Sequence, residues 1–136
     1  MIKHVDELVR QAKMAQQNAY VPYSHFKVGA AIMMDDNTYV VGANVENASF
    51  GLTNCAERTA LFSAIAKGYR KENMLAMAIV SNFTGSDTFP CGACRQVMIE
   101  LMKPDTPVYC VNSRNEVKEY TVADFLPYAF TSEDIK

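Results

Sequence analysis

The sequence has no apolar run long enough to cross a membrane, no excess of one charge, few cysteines and histidines, and no repeated or low-complexity tract. A membrane-spanning helix needs about 20 consecutive apolar residues, so that class is excluded. Thirteen Lys and Arg stand against fifteen Asp and Glu, for a net charge of -2 with the signs interspersed. Such a surface offers no basic footprint for a nucleic acid. The two histidines, His4 and His25, have no ligand spacing and are read as exposed or locally hydrogen-bonded. The opening Met1-Ile2-Lys3-His4-Val5-Asp6-Glu7 turns charged too soon for a secretory signal, so a cytoplasmic protein is expected. In a reducing compartment, four cysteines point to metal ligands, catalytic groups or core residues rather than to disulfides. A chain of 136 residues is long enough for one domain with its own core, and residues 1–136 are read as that single domain.

Along the chain, Val5, Leu8, Val9, Ala12, Ala15 and Ala19 recur at helical spacing and predict a first amphipathic helix. Pro22, within Tyr20-Val21-Pro22-Tyr23-Ser24, breaks it. Phe26 to Met34 is largely apolar and reads as a strand covered on both faces; Asp35-Asp36-Asn37 turns it into a second strand, Thr38 to Ala43. Asn44 to Gly51 loses periodicity and is a polar loop of the kind that carries function. Thr53-Asn54 offers an N-cap for a helix from Cys55 to Lys67, stopped by Gly68; its Ala56, Ala60, Leu61, Ala64 and Ile65 make it central. Met74 to Val80 is a third, buried strand, followed by a polar loop of Ser, Asn, Thr, Gly and Asp up to Phe89. Pro90 then opens a helix running to Lys103 and ended by Pro104. Val108 to Val111 and Val117 to Tyr120 are the fourth and fifth strands, Thr121 to Phe125 is a brief helical turn, and the tail is loose. The four residues Asn112-Ser113-Arg114-Asn115 are too few for a helical crossover, so the last strand is expected to run antiparallel. This alternation predicts an α/β fold, a three-layer α/β/α sandwich with a five-stranded mixed sheet and helices on both faces.

The chemistry is concentrated in Cys55-Ala56-Glu57 and Pro90-Cys91-Gly92-Ala93-Cys94. Zinc prefers tetrahedral nitrogen and sulfur ligands, and a catalytic zinc keeps its fourth position open. Cys91 and Cys94 stand three apart at a helix start, and Cys55 is the only other cysteine at a predicted helix N-terminus. Three thiolates leave the ion with net negative charge, which calls for positive compensation. Two helix N-termini supply it, together with Arg58 and, as a second candidate, Arg95, through hydrogen bonds to sulfur. Glu57 lies two positions from a ligand, placed to take a proton from water on the metal and deliver it to a substrate. The amide of Ala56, in a first helical turn, is a ready donor for a substrate carbonyl.

Blander readings compete. Cys91-Gly92-Ala93-Cys94 alone is the pattern of a dithiol oxidoreductase. With Cys110 as a fourth thiolate the site becomes a structural zinc module, although Cys110 amid Val108, Tyr109 and Val111 reads as a core residue. Phe26 alone is more often a core aromatic, and Asn44 and Glu46 alone are solvated loop residues.

Four segments tip the balance: Tyr23-Ser24-His25-Phe26-Lys27-Val28-Gly29-Ala30-Ala31, Asn44-Val45-Glu46-Asn47, Cys55-Ala56-Glu57-Arg58-Thr59-Ala60 and Pro90-Cys91-Gly92-Ala93-Cys94-Arg95-Gln96-Val97. In order and spacing they resemble the free-nucleoside branch of the cytidine deaminases, from about the first helix to Phe130. The resemblance implies a cytidine-deaminase-like fold with one Zn2+ per subunit on Cys55, Cys91 and Cys94, and Glu57 as the catalytic proton carrier. It also implies that Phe26 stacks on the pyrimidine, that Asn44 and Glu46 bind ribose hydroxyls, and that the carbonyl of Phe89 accepts from the departing amino group. A homotetramer is implied, in which Phe50 and Phe130 of neighbouring subunits help close each pocket. Relatives often carry Tyr where Phe50 stands, and Ser or Thr where Phe89 stands. The implied reaction is hydrolytic deamination of cytidine and 2'-deoxycytidine to uridine and 2'-deoxyuridine plus ammonia, a step of pyrimidine salvage. Water attacks C4 of cytosine, while Glu57 protonates N3 and then the leaving amine. A related nucleoside such as blasticidin S is the alternative substrate, and the ribose-side motif Asn44-Val45-Glu46-Asn47 favours cytidine. Polynucleotide-acting relatives commonly use His at the first ligand position, where this chain has Cys55, so neither a nucleic acid nor a membrane is an expected partner.

Overall fold

The computed structural model describes residues 4–84 and 87–135. Met1-Ile2-Lys3 of the opening segment, Gly85-Ser86 of the loop before Phe89 and the terminal residue 136 lie outside the described residues. Eight regular elements follow one another: α1 (Val5–Gln16), β1 (Val28–Met34), β2 (Tyr39–Ala43), α2 (Ala56–Ala66), β3 (Met74–Ser81), α3 (Gly92–Leu101), β4 (Pro107–Val111) and β5 (Val117–Thr121). Short 3-10 turns add Phe50–Leu52, Lys71–Asn73, Val122–Phe125 and Ser132–Ile135. No helix among the described residues is long and apolar enough to cross a membrane.

Every residue of β1 is buried, because helices cover both faces of the sheet. Alternate residues therefore serve two cores. Ala30, Ile32 and Met34 join Ala60, Leu61 and Ala64 of α2 and Met98 of α3 on one side. Ala31 and Met33 join Val5, Leu8, Val9 and Ala12 of α1 on the other. The strand order is β2-β1-β3-β4-β5; β3 and β4 run parallel, and all other neighbours are antiparallel, the last pair as expected. The expected sandwich of a five-stranded mixed sheet between helices is thus formed.

Gly42 lets α2 lie close on β2. A Cβ there would stand 2.5 Å from the Ala60 nitrogen and 2.6 Å from the Ala56 carbonyl oxygen, both backbone atoms.

Several boundaries differ from expectation. Strand β1 begins at Val28 rather than Phe26, because His25 takes a left-handed φ of 59° and the Phe26 amide donates to Ser24 Oγ. The Phe26 ring is thereby taken out of the sheet. The cap of α2 is Cys55, not Thr53-Asn54: Asn54 is committed to an antiparallel bridge with Val45, both amides donating across it. Helix α3 starts at Gly92, leaving Pro90 outside, where its carbonyl accepts from Arg95 Nε. Helix α1 stops at Gln16, where tighter turns at Asn18 and Ala19 lead to a bridge between Tyr20 and Val45. The tail forms a 3-10 turn at Ser132–Ile135 in place of a loose end.

Candidate active site

Two helix starts meet at the site. Cys55 and Cys91 occupy the N-cap positions of α2 and α3, both extended, and neither thiol caps its helix. Cys94 lies in the first turn of α3 and is fully buried. The Cys55 and Cys91 sulfurs are 3.6 Å apart, those of Cys91 and Cys94 3.4 Å, and all three lie within 4.8 Å of one another. Zinc–sulfur bonds of about 2.3 Å in a tetrahedron place sulfurs about 3.8 Å apart, so the three thiols fit one zinc ion and leave a fourth position unclaimed. Among the described residues no His, Asp, Glu or fourth Cys belongs to this group. Cys110 is instead buried within the core shared with α2 and α3, where burial pushes its thiol up to about 12.

The surroundings of Cys55 favour its thiolate. A hydrogen bond from the Cys94 thiol and another from Arg58 draw the Cys55 thiol below its ordinary value. Arg58 Nη2 donates to Cys55 Sγ at 3.3 Å. The hydrogen bond to Cys55, together with burial, raises the Cys94 thiol. Arg95, the second candidate donor to sulfur, does not serve there. Its Nε donates to the Pro90 carbonyl at 2.7 Å and its Nη1 to the Phe125 carbonyl at 3.0 Å, with the guanidinium 5.1 Å above the Phe125 ring.

Glu57 sits one residue into α2 and is only 4% exposed. Burial pushes its carboxyl up to about 7, and the neighbouring Cys55 charge adds to the rise. A cation on the sulfurs opposes that rise.

Cys55, Cys91 and Glu57 border a cavity of about 360 Å³ whose walls include Phe26, Asn44, Ala56 and Phe89, with Cys94 buried behind them. A second cavity of about 730 Å³ shares Phe26 and Asn44 and is lined by Glu46 and Phe50. Among the described residues, no Lys or Arg lines either cavity. The Asn44 amide holds the start of β1, accepting from the Val28 amide at 3.0 Å and donating to the Phe26 carbonyl at 2.8 Å. Glu46 Oε1 accepts from the amides of Tyr23 and Ser24, both at 3.1 Å, and Oε2 accepts from the Ser24 hydroxyl. These bonds, the Ser24 hydroxyl first, hold the carboxyl below its ordinary value.

Of the residues singled out in the sequence, Phe130 alone among the binding candidates lines neither cavity of its own chain; its carbonyl accepts from Gln96 Nε2 and its ring is exposed. The first cavity also has walls that sequence reasoning missed, namely Val28, Ile79, Phe83, Asp87 and Thr88. Phe83 carried one signal, as the lone large apolar residue between Ser81 and Asp87.

Residues 2–111 match the cytidine and deoxycytidylate deaminase zinc-binding region. The chain belongs to the cytidine deaminase family. It is 53% identical over 128 residues to a cytidine deaminase of Halalkalibacterium halodurans, covering 94% of this chain and 95% of that one. Identity to the enzyme of Sporosarcina psychrophila is 46% over 131 residues, covering 96% and 94%. The crystal structure of cytidine deaminase from Burkholderia pseudomallei superposes with a TM-score of 0.88 at 52% identity, covering 96% of this chain and 100% of that one. As a cytidine deaminase, the protein is a zinc-binding hydrolase, and the dithiol oxidoreductase and structural-zinc readings fall away.

Proposed function

We propose that this cytidine deaminase hydrolyses cytidine and 2'-deoxycytidine to uridine and 2'-deoxyuridine with release of ammonia. The reading is carried by one juxtaposition: a buried carboxyl, Glu57, and a cluster of three thiols, two of which, Cys55 and Cys91, join Glu57 in the wall of a base-sized cavity. Cys55, Cys91 and Cys94 would hold the zinc ion, which when bound would supply the Lewis acidity that lets water act as a nucleophile near neutral pH. Glu57 takes the proton from the water that adds to C4 and passes it to N3. The second water proton then goes, again through Glu57, to the amino nitrogen as the C4–N bond breaks and the C4 carbonyl forms. Ammonia leaves, and the atoms balance.

Binding is divided between the two cavities. Phe26 takes the face of the base, and the Ala56 amide donates to the substrate O2 from the first turn of α2. The Phe89 carbonyl accepts from the departing amino group, a backbone role that tolerates the phenylalanine side chain. At the sugar end, Glu46 Oε1 already accepts twice whereas Oε2 accepts once, so Oε2 has an acceptor position for a ribose hydroxyl. Asn44, with one amide hydrogen beyond its bond to Phe26, reaches the same sugar. Walls that have no Lys or Arg among the described residues suit an uncharged nucleoside better than a phosphorylated one. Arg58 steadies the Cys55 thiolate from behind. Phe50, which is 90% exposed, and Phe130 support a homotetramer in which a neighbour's ring closes each pocket. Residues 1–136 act as one deaminase domain, two cores sharing one sheet. A reducing cytoplasm keeps the thiols in the state a metal requires.

The test is the ultraviolet absorbance change of cytidine incubated with the zinc-loaded protein. Glu57→Ala is expected to keep its zinc and lose turnover by about a hundredfold to ten-thousandfold. A fully active, zinc-loaded Glu57→Ala would sink the assigned role.

A further inference from the structure

Phe83 lines the base cavity on the stretch between β3 and α3, and its ring meets the Phe26 ring edge-on, with centroids 6.0 Å apart and planes at 77°. Two sets of hydrogen bonds hold the rings in that relation. One stitches the neighbours of the two residues together. The Lys27 amide donates to Asn82 Oδ1 at 3.1 Å, Asn82 Nδ2 donates to the His25 carbonyl at 3.1 Å, and the Asn82 amide donates to the Lys27 carbonyl at 3.2 Å. The other anchors Phe83 to the sheet through two buried hydroxyls. Thr88 Oγ1 donates to the Val111 carbonyl at 3.2 Å, and its oxygen lies 2.5 Å from Ser81 Oγ. A hydroxyl has a single proton, so with the Thr88 proton committed to Val111 the Ser81 proton goes to Thr88. Ser81 Oγ then accepts from the Phe83 amide at 3.2 Å. The result is a chain of one direction, Phe83 amide to Ser81 to Thr88 to the Val111 carbonyl, with each buried hydroxyl both donating and accepting. Backbone on either side of Phe26 and at Phe83 is therefore fixed, and the contact between the rings follows from it.

We propose that Phe83 is a positioning residue for substrate binding: it fixes the angle of the Phe26 ring against the base. The inference rests on the reading of Phe26 as the base platform. An aromatic edge-to-face pair contributes an energy equivalent to about a two- to tenfold change in an equilibrium constant. Because the interaction is the same in the bound ground state and the transition state, it moves KM and leaves kcat alone.

The test is a double-mutant cycle of Phe26→Leu and Phe83→Leu, with kcat and KM for cytidine measured separately and zinc content and Tm as checks on the fold. Phe83 is 42% exposed, so its replacement leaves both cores intact. Phe83→Leu is expected to raise KM about two- to tenfold. Phe83→Tyr should restore it, and in the Phe26→Leu background Phe83→Leu should add little. Additive effects, or a KM unchanged by Phe83→Leu while Phe26→Leu raises it, overturn the positioning role and leave the platform reading standing. A KM untouched by Phe26→Leu overturns both.

Discussion

Cysteine replaces the usual Ser, Thr, Asp or Asn at the N-caps of α2 and α3, and in both places the thiol makes no cap hydrogen bond. The first-turn amides of both helices are left facing the sulfur cluster, where their partial positive charge offsets thiolate charge. The two thiols are thus left available to a metal ion and not committed to a backbone amide. Cys110 stands outside this arrangement, packed in the core on β4. Cys110→Ser is therefore expected to retain one zinc per chain while losing about 1–3 kcal/mol of stability from a buried hydroxyl. Cys91→Ser should lose the metal, and the two outcomes are read by metal analysis and thermal denaturation. The clustering of the three cysteines was legible in the sequence because Cys91 and Cys94 stand three apart at a helix start and Cys55 is the only other cysteine at one. Arg95 was not, since spacing fixes where a residue sits and leaves open whether its guanidinium turns to the sulfurs or to the carbonyls of Pro90 and Phe125.

Helix α2 carries Cys55, Ala56 and Glu57 to the site, and its depth is set by the absence of a side chain at Gly42. A methyl group at that position meets backbone at 2.5 and 2.6 Å, and backbone yields only by moving the helix. Gly42→Ala is accordingly expected to cost about 1–3 kcal/mol, seen as a lower Tm. It should also reduce turnover more than a pure stability loss explains, because the helix that shifts carries Glu57. A variant with wild-type Tm and activity would show that α2 has room to spare. All eight regular elements were legible from periodicity and breakers, since burial on both faces leaves a clear apolar run in β1 and a helical stripe in α1. Their ends were less so. The Asn54–Val45 bridge and the left-handed turn at His25 join or redirect segments through contacts that local propensity does not encode.

At the scale of the molecule, the site is a junction between parts of the chain that the sheet alone does not lock together. Cys55 and Cys91 are 36 residues apart in sequence and start two different helices, both packed on one face of the sheet. In the folded chain their sulfurs converge to 3.6 Å, a separation that three thiolates without a cation would resist by mutual repulsion. An ion bound there acts as a crosslink present in the folded state and absent from the unfolded one, so its binding free energy becomes folding stability. With free zinc at a thousand times Kd, that linkage amounts to about 4 kcal/mol. For a domain of this size, each kcal/mol moves Tm by about 3–5 °C. Chelation of the purified protein is therefore expected to lower Tm by roughly 12–20 °C, and added zinc should restore it. The same fall should appear in Cys110→Ser, whereas Cys91→Ser, already without metal, should not respond to the chelator. Differential scanning calorimetry on the three proteins decides the matter: a chelator-insensitive Tm in the wild type would mean that the two helix starts are held by packing alone, with the ion serving chemistry and not the fold.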